Sequence, residues 1–447
     1  MLAGIKPTKS SQNYKNTSFA SKENYLFDGM EKSLKPLNTF VKSQENLSHT
    51  RFFQDVMTNW VPKVVFTRSL ADFTEMTFLE FTESTLFYFA PPALGVFFKN
   101  TFSNLAPKPI REEVSKNISR VSTEILKEAK SPSNIIAKRA VATKAAILLA
   151  CVSIPAAEYA LSFAKNLLTL KLFNKSDFNN VVNLNKEEHK TETPEQQKRV
   201  EDSANKHIKN SGKLALSALA GSIILAKFGH KSDTLQKISK VILQPGGTIN
   251  NGLNKLGIKS QKLKNALKTY INFDFKVKDG KLGLSKGQLV VSTLAGLWGY
   301  SEAGKDRGRL DQLEVLTRVP IVVFYTIFGS EMFEHFFKHI LFNKNKFPDL
   351  VKKAQDGKIN IPKREELPAL AEKIAKIKNT SAQLEFNRLL KEKTVITAVP
   401  YGFALIFMGF LLAGITRFWT QYRYDRSKHH PQEQDKFKNL IQPQKFI

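Results

Sequence analysis

Three side chains stand at a spacing that could hold a metal. Glu331, His335 and His339 recur every four residues within Glu331-Met332-Phe333-Glu334-His335-Phe336-Phe337-Lys338-His339, so a helix would set them on one face. Two imidazoles and a carboxylate suit zinc or non-haem iron. The run departs from the HExxH pattern, and no second carboxylate-histidine motif stands elsewhere to complete a two-metal site. The plainer reading is an amphipathic helix end at a bilayer surface, with Lys338 reaching outward. No cofactor is expected.

A second group is the carboxylates in or beside apolar runs: Glu83, Glu158, Glu302 and Glu331. A carboxylate inside a bilayer is expensive, and one that faces a bundle interior points to proton or ion handling. At headgroup depth it is simply solvated, which is the expectation here because most of the four sit near a segment end. Glu302, Lys305, Asp306, Arg307, Arg309, Asp311, Glu314 and Arg318 form a dense mixed-charge connector that can pair locally on a solvated surface. Nucleotide chemistry finds no support. Gln244-Pro245-Gly246-Gly247-Thr248 and Gly304-Lys305-Asp306-Arg307-Gly308 lack P-loop spacing. Nucleophile elbows and CxxC pairs are also missing, so the sequence argues against an enzyme without closing the question.

The elements that must position these groups are set by composition. The chain has 447 residues, 42% hydrophobic and 24% charged, which excludes wholesale disorder. Its net charge of +28 favours anionic partners. Only 14 of the 68 basic residues are Arg, whereas nucleic-acid readers lean on the planar guanidinium fork. Nucleic acid is therefore the less favoured partner, and a general Lys bias of the surface competes with a selected basic patch. The single Cys151 permits no intrachain disulfide or thiolate zinc cluster and reads as packing.

Residues 1–50 read as a flexible basic arm without the apolar stretch of a signal peptide, anchored at most by Phe19, Tyr25, Leu26 and Phe27. Residues 51–110 are an aromatic-rich hydrophobic region. Residues 111–230 are expected to be helical, with one helix over 111–130 and hydrophobic segments at 145–164 and 214–226. Thr193-Pro194-Glu195-Gln196 combines an N-cap hydroxyl, Pro at the first helical position and a capping-box Gln, so a helix should start there and run to Phe228, with Gly229 as its stop. Residues 231–286 read as a basic linker carrying a β-hairpin at 270–284, because Ile271, Phe273, Phe275 and Val277 alternate with polar residues before Asp279-Gly280. A hydrophobic helical hairpin with a charged connector (287–342), a basic helical loop (343–393), a transmembrane helix with its anchor (394–424) and a basic tail (425–447) follow.

Val395 to Thr416 is the clearest span: 22 residues without a charge, about 33 Å as a helix. Arg417, Trp419, Tyr422, Arg423 and Arg426 follow it like an aromatic belt and basic anchor. Gly409 and Ala413 suit close helix approach, and Pro400 predicts a kink. Ala145 to Ala164, Leu214 to Ala226, Leu289 to Tyr300, Val319 to Phe342 and Leu86 to Phe98 are weaker, each too short or interrupted by charge or Pro. Val61-Pro62-Lys63-Val64-Val65-Phe66 and Val319-Pro320-Ile321-Val322-Val323-Phe324 hint at a duplication, but chance in a Val- and Phe-rich chain explains so short a match.

The expectation is a mainly α, multi-pass helical membrane protein with several short or re-entrant hydrophobic helices and one small β-hairpin. It would lie in a membrane, of cytoplasmic inner-membrane type, with a slight preference for a cytoplasmic C-terminus. It would act by helix packing and by electrostatic contact with the lipid bilayer, anionic lipids, a helix-packing protein partner or a second copy. A transporter or channel using the embedded carboxylates, and a soluble or peripheral nucleic-acid binder, are the alternatives.

Overall fold

The computed structural model describes residues 25–45, 49–184, 192–258, 260–278, 281–283, 285–355 and 357–429. They are mainly helical. In chain order the helices are α1 (Lys35–Glu45), α2 (His49–Val65), α3 (Leu70–Tyr88), α4 (Ala90–Ser103), α5 (Lys108–Ile118), α6 (Ser122–Glu128), α7 (Ile135–Ala150), α8 (Ser153–Phe173), α9 (Phe178–Val181), α10 (Pro194–Phe228), α11 (Asp233–Leu243), α12 (Pro245–Lys255) and α13 (Gln261–Tyr270). Strands β1 (Lys276–Lys278) and β2 (Lys281–Gly283) form an antiparallel hairpin. Then come α14 (Lys286–Arg307), α15 (Arg309–Phe324), α16 (Ser330–Asn343), a short antiparallel ladder of β3 (Lys352–Lys353) and β4 (Ile359–Asn360), α17 (Leu367–Lys378), α18 (Ala382–Phe403) and α19 (Leu412–His429).

Local chemistry sets many of these ends. Thr193 accepts a hydrogen bond from Gln196 N, and α10 runs from Pro194 to Phe228 with Gly229 as its C-cap. Ser285 and Gln288 close a reciprocal capping box at the start of α14. Pro320 and Pro400 lie inside helices, and π-helical stretches follow them at Tyr325–Gly329 and Ala404–Leu411. A missing N–H and the steric bulk of the ring are what such widened turns absorb.

The chain forms two compact units, Met1–Gln54 with Ser330–Ala404, and Asp55–Gly329 with Leu405–Ile447. The first packs Leu26, Leu34, Val41, Leu350, Leu367 and Phe386 into its core. Arg364 lies over the Phe27 ring at 4.0 Å and bonds Asn38, and Lys393 pairs with Glu45 at 2.8 Å. Residues 25–45, expected as part of a flexible arm, are thus core material. Leu26, Met30 and Leu34 recur at four-residue spacing and are all buried.

The second unit is a helical bundle. Its core runs through α4 to α8, α10 and α11, including Val114, Ile118, Ile125, Val141, Ile147 and Leu243. The expected helix over 111–130 is broken between α5 and α6, where Ser122 N and Oγ donate to Asp274 and the Arg120 carbonyl accepts from Lys144 Nζ at 2.6 Å. Residues 231–286, expected as a linker, fold mostly into α11, α12 and α13. In the hairpin only 276–278 and 281–283 pair, because Ile271 O accepts from Gly246 N and Phe273 N donates to Leu243 O. The turn residues Asp279 and Gly280 lie outside the described residues.

Among the described residues three helical runs are long and apolar enough to cross a membrane: Ile135–Phe173, Pro194–Phe228 and Ala382–Lys428. They contain Ala145 to Ala164, Leu214 to Ala226 and Val395 to Thr416. The other three weaker segments do not qualify. Close approach at Gly409 is as expected: a Cβ there would stand 2.8 Å from Pro62 Cγ and 3.2 Å from Thr58 O.

Candidate functional site

The most polar interior lies where α3, α8, α14, α15 and α19 meet within the second unit. Ser69 caps α3 by accepting from Asp72 N at 3.0 Å, which fixes Asp72 and Glu75 one turn apart on the same face. Gly308, at φ +126°, turns α14 sharply into α15, and places Arg307 beside Asp311 and Glu314. Arg307 Nη1 donates to Glu75 at 2.8 Å and to Asn166 Oδ1 at 3.1 Å, and its Nε lies 3.5 Å from Asp311. Lys165 stands 3.7 Å from Glu75 and 4.0 Å from Asp311. Thr169 Oγ1 donates to Glu75. Arg417 joins Asp72 at 2.8 Å and Glu314 at 3.1 Å, with Arg68 3.7 Å from Glu314.

Asp72, Glu75, Asp311 and Glu314 therefore balance Arg68, Lys165, Arg307 and Arg417. Burying such charges costs several kcal/mol per ion, so only the mutual pairing makes the cluster tolerable. The cavity it lines is about 20 Å³, the scale of a single water. Arg318 also borders this gap, and among the described residues the Arg68 guanidinium nitrogens, Arg307 Nη2 and Glu314 Oε2 are buried without hydrogen-bond partners. The cluster holds five helices in register.

Most of this cluster is not legible in the amino-acid order. Arg307, Asp311 and Glu314 were expected on a solvated connector, yet all three are buried. Asp311 and Glu314 are three residues apart and share a face of α15, whereas Arg307 ends α14 and is brought to them by the turn at Gly308, which helical periodicity does not reveal. Nothing local marks Asp72, Glu75 or Lys165, whose partners come from distant helices. Arg417, expected as a headgroup anchor, is 8% exposed and belongs to the cluster. Its four-residue spacing from Ala413, itself buried, turns it inward. Trp419 and Tyr422 are exposed and stacked at 5.4 Å, Arg423 lies 5.4 Å above the Trp419 ring, and Arg426 is exposed.

The embedded carboxylates divide. Glu83 and Glu158 interact with one another electrostatically, and Tyr300 OH donates to Glu83 at 3.3 Å. Glu80, one turn before Glu83, pairs with Lys63. Glu158 lines an apolar cavity of about 250 Å³. Glu302 instead bonds Lys305 at 2.6 Å near the surface. The Glu331 side chain lies outside the described residues. His335 and His339 lie one turn apart with ring centroids 4.3 Å from each other and planes tilted by 53°, and His339 Nδ1 lies 2.9 Å from the His335 carbonyl. Among the described residues no three His, Cys, Asp or Glu side chains converge as a metal set.

A further cation is buried in the second unit. Lys144, fully enclosed in the Ala-rich run of α7, bonds Asp274 and the Arg120 carbonyl at 2.6 Å each and lies 5.2 Å from the Phe275 ring centre. It fastens the start of α6 and the strand-like residues before β1 onto the bundle.

Compared with known proteins, the chain matches no protein-family model, no curated protein and no solved structure.

Proposed function

We propose that this chain is an integral membrane protein that works without catalysis, through helix packing in the bilayer and electrostatic contact with anionic lipid or a protein partner. The observation that carries the reading is the exposure of its most apolar helical stretch. Only 17% of that stretch in Ala382–Lys428 is buried, and Ile406, Phe407, Leu411, Ile415 and Phe418 are exposed. A contiguous apolar helix surface of this size is stable against lipid or another helix, not against water. Pro194–Phe228 is similar at 28%, whereas Ile135–Phe173, at 72%, is covered by its own bundle.

The anionic-lipid part rests on α11 to α13. Between Asp233 and Asp274 the chain has no acidic residue. Exposed Ile238, Val241, Ile249, Leu256 and Leu263 alternate there with exposed Lys237, Lys240, Lys255, Lys262 and Lys268. Short helices mixing Lys with exposed Ile and Leu suit the headgroup boundary of a negatively charged leaflet. A cytoplasmic membrane is the setting this composition favours. The transporter alternative asks for two embedded carboxylates on one polar cavity. Glu83 and Glu158 are near enough to interact electrostatically, but the cavity at Glu158 is mainly apolar, so that reading is second.

Alkaline carbonate extraction of membranes tests the proposal. The chain is expected to stay in the pellet, and release into the supernatant would overturn membrane integration. Vesicles containing phosphatidylglycerol should then capture a soluble peptide spanning residues 231–270 more strongly than neutral vesicles, with capture weakening as salt rises. Equal capture by both would remove the anionic-lipid part alone.

A further inference from the structure

The cavity between α4, α7, α8, α11 and α14 is walled mainly by apolar side chains such as Leu148, Ile154, Ile242, Phe273 and Val291, with Cys151, Gln288 and Ser292 also in the lining, and the one carboxyl group in it is that of Glu158. That carboxyl group is 8% exposed, and no hydrogen-bonding or ion-pairing group among the described residues meets it. Its Oε2 lies 3.7 Å from where a Cβ would stand on Gly296, which places the carboxyl group against α14. The one charged neighbour with which it interacts is another acid, Glu83. A buried acid facing apolar walls and a like charge lacks a cation or strong donor.

Volume sets the size of what could supply it. An apolar cavity of about 150 Å³ holds benzene, so about 250 Å³ takes roughly ten non-hydrogen atoms. A fatty acid would add a third acid to the pair and supply no cation, and a pure hydrocarbon would leave Glu158 unpaired. We propose that this cavity binds a small hydrophobic amine, its apolar body filling the space between the helices and its ammonium group paired with Glu158. The site lies within one unit and does not depend on whether the chain crosses a bilayer.

Equilibrium dialysis of the purified full-length chain in detergent, near neutral pH, tests this with phenethylamine, propylbenzene and 3-phenylpropionate as probes of matched size. Phenethylamine should saturate at one site per chain, with the neutral and acidic analogues at least about tenfold weaker. Glu158→Gln should weaken the amine at least about tenfold and leave propylbenzene unchanged. Val291→Trp, at a partly exposed position on the cavity wall, should remove amine binding by filling the space, and it stands as the test if Glu158→Gln fails to fold by circular dichroism. Absence of saturable amine binding to the parent chain would overturn the proposal. So would parent-like amine affinity in either folded variant, or propylbenzene binding as tightly as phenethylamine.

Discussion

Arg307→Met should be among the most damaging single changes in the second unit. The methionine keeps most of the apolar stem and removes the guanidinium that meets Glu75 at 2.8 Å, Asp311 at 3.5 Å and Asn166 at 3.1 Å. At an effective dielectric of about 20 the Glu75 contact alone has a gross Coulomb energy of about 6 kcal/mol, most of it offset by desolvation of the pair. The net loss is larger than the worth of the pair, because Glu75 and Asp311 remain buried with Lys165, at 3.7 and 4.0 Å, as their nearest cation, helped at Glu75 by the Thr169 hydroxyl and the more distant Arg417. Orphaning buried charge in this way costs about 3–5 kcal/mol, or roughly two to three and a half orders of magnitude in the folded-to-unfolded ratio. Cys151 gives a clean assay: it is the sole cysteine and is buried, so maleimide labelling across a denaturant series in mild detergent reports unfolding. The double variant Glu75→Gln with Arg307→Met should recover at least about 1 kcal/mol relative to additivity. A single variant within about 0.5 kcal/mol of the parent, or strictly additive behaviour, would refute the pairing argument.

Glycines offer a paired test. A Cβ on Gly299 would stand 2.5 Å from Tyr159 O and 3.0 Å from Tyr159 Cα, backbone that cannot swing away, so Gly299→Ala should cost about 1–3 kcal/mol in the same labelling assay. Gly212 is exposed within α10 with nothing within 4 Å of a new Cβ, so Gly212→Ala should instead stabilise by about 0.5–1 kcal/mol. His230 supplies a pH dependence. Burial first, then the charges of Arg139 and Lys231, depress its pKa to about 4, and its Nδ1 is buried without a hydrogen-bond partner. The unfolded chain takes up a proton near pH 6.5 and the folded chain resists it, so the contribution to stability is complete above about pH 6.5 and is lost as pH falls towards 4. With solvent screening at a partly exposed ring, the loss is on the order of 1–2 kcal/mol. Unfolding midpoints at neutral and mildly acidic pH should separate in the parent and converge in His230→Gln, and an unchanged pH slope in that variant would defeat the assignment.

Elements whose signals are local were legible in the amino-acid order. The start of α10 at Thr193-Pro194 and its stop at Gly229 follow from one side-chain cap, one fixed φ and one missing Cβ, all within a few residues of each end. The β1–β2 hairpin was legible for the same reason, although the backbone of residues 271–273 went to α11 and α12 instead of to a longer strand. The break between α5 and α6 was not legible. It depends on Asp274 and Lys144, which lie 152 residues from Ser122 and 24 from Arg120.

The same division governs the candidate sites. Apolar length and the absence of charge determined by themselves that Val395 to Thr416 would be a long apolar helix, because those properties need no partner. Its closing arginine was misplaced, since Arg417 finds Asp72 at a separation of 345 residues and is drawn inward by it. Residue type made Glu83 and Glu158 notable. Only packing decided that they come near enough to interact, that Glu302 pairs with Lys305 instead, and that Glu158 lines a mainly apolar cavity. Helical periodicity fixes which residues share a face; which faces meet is decided by long-range burial and charge pairing, and those energies exist only once the helices have come together.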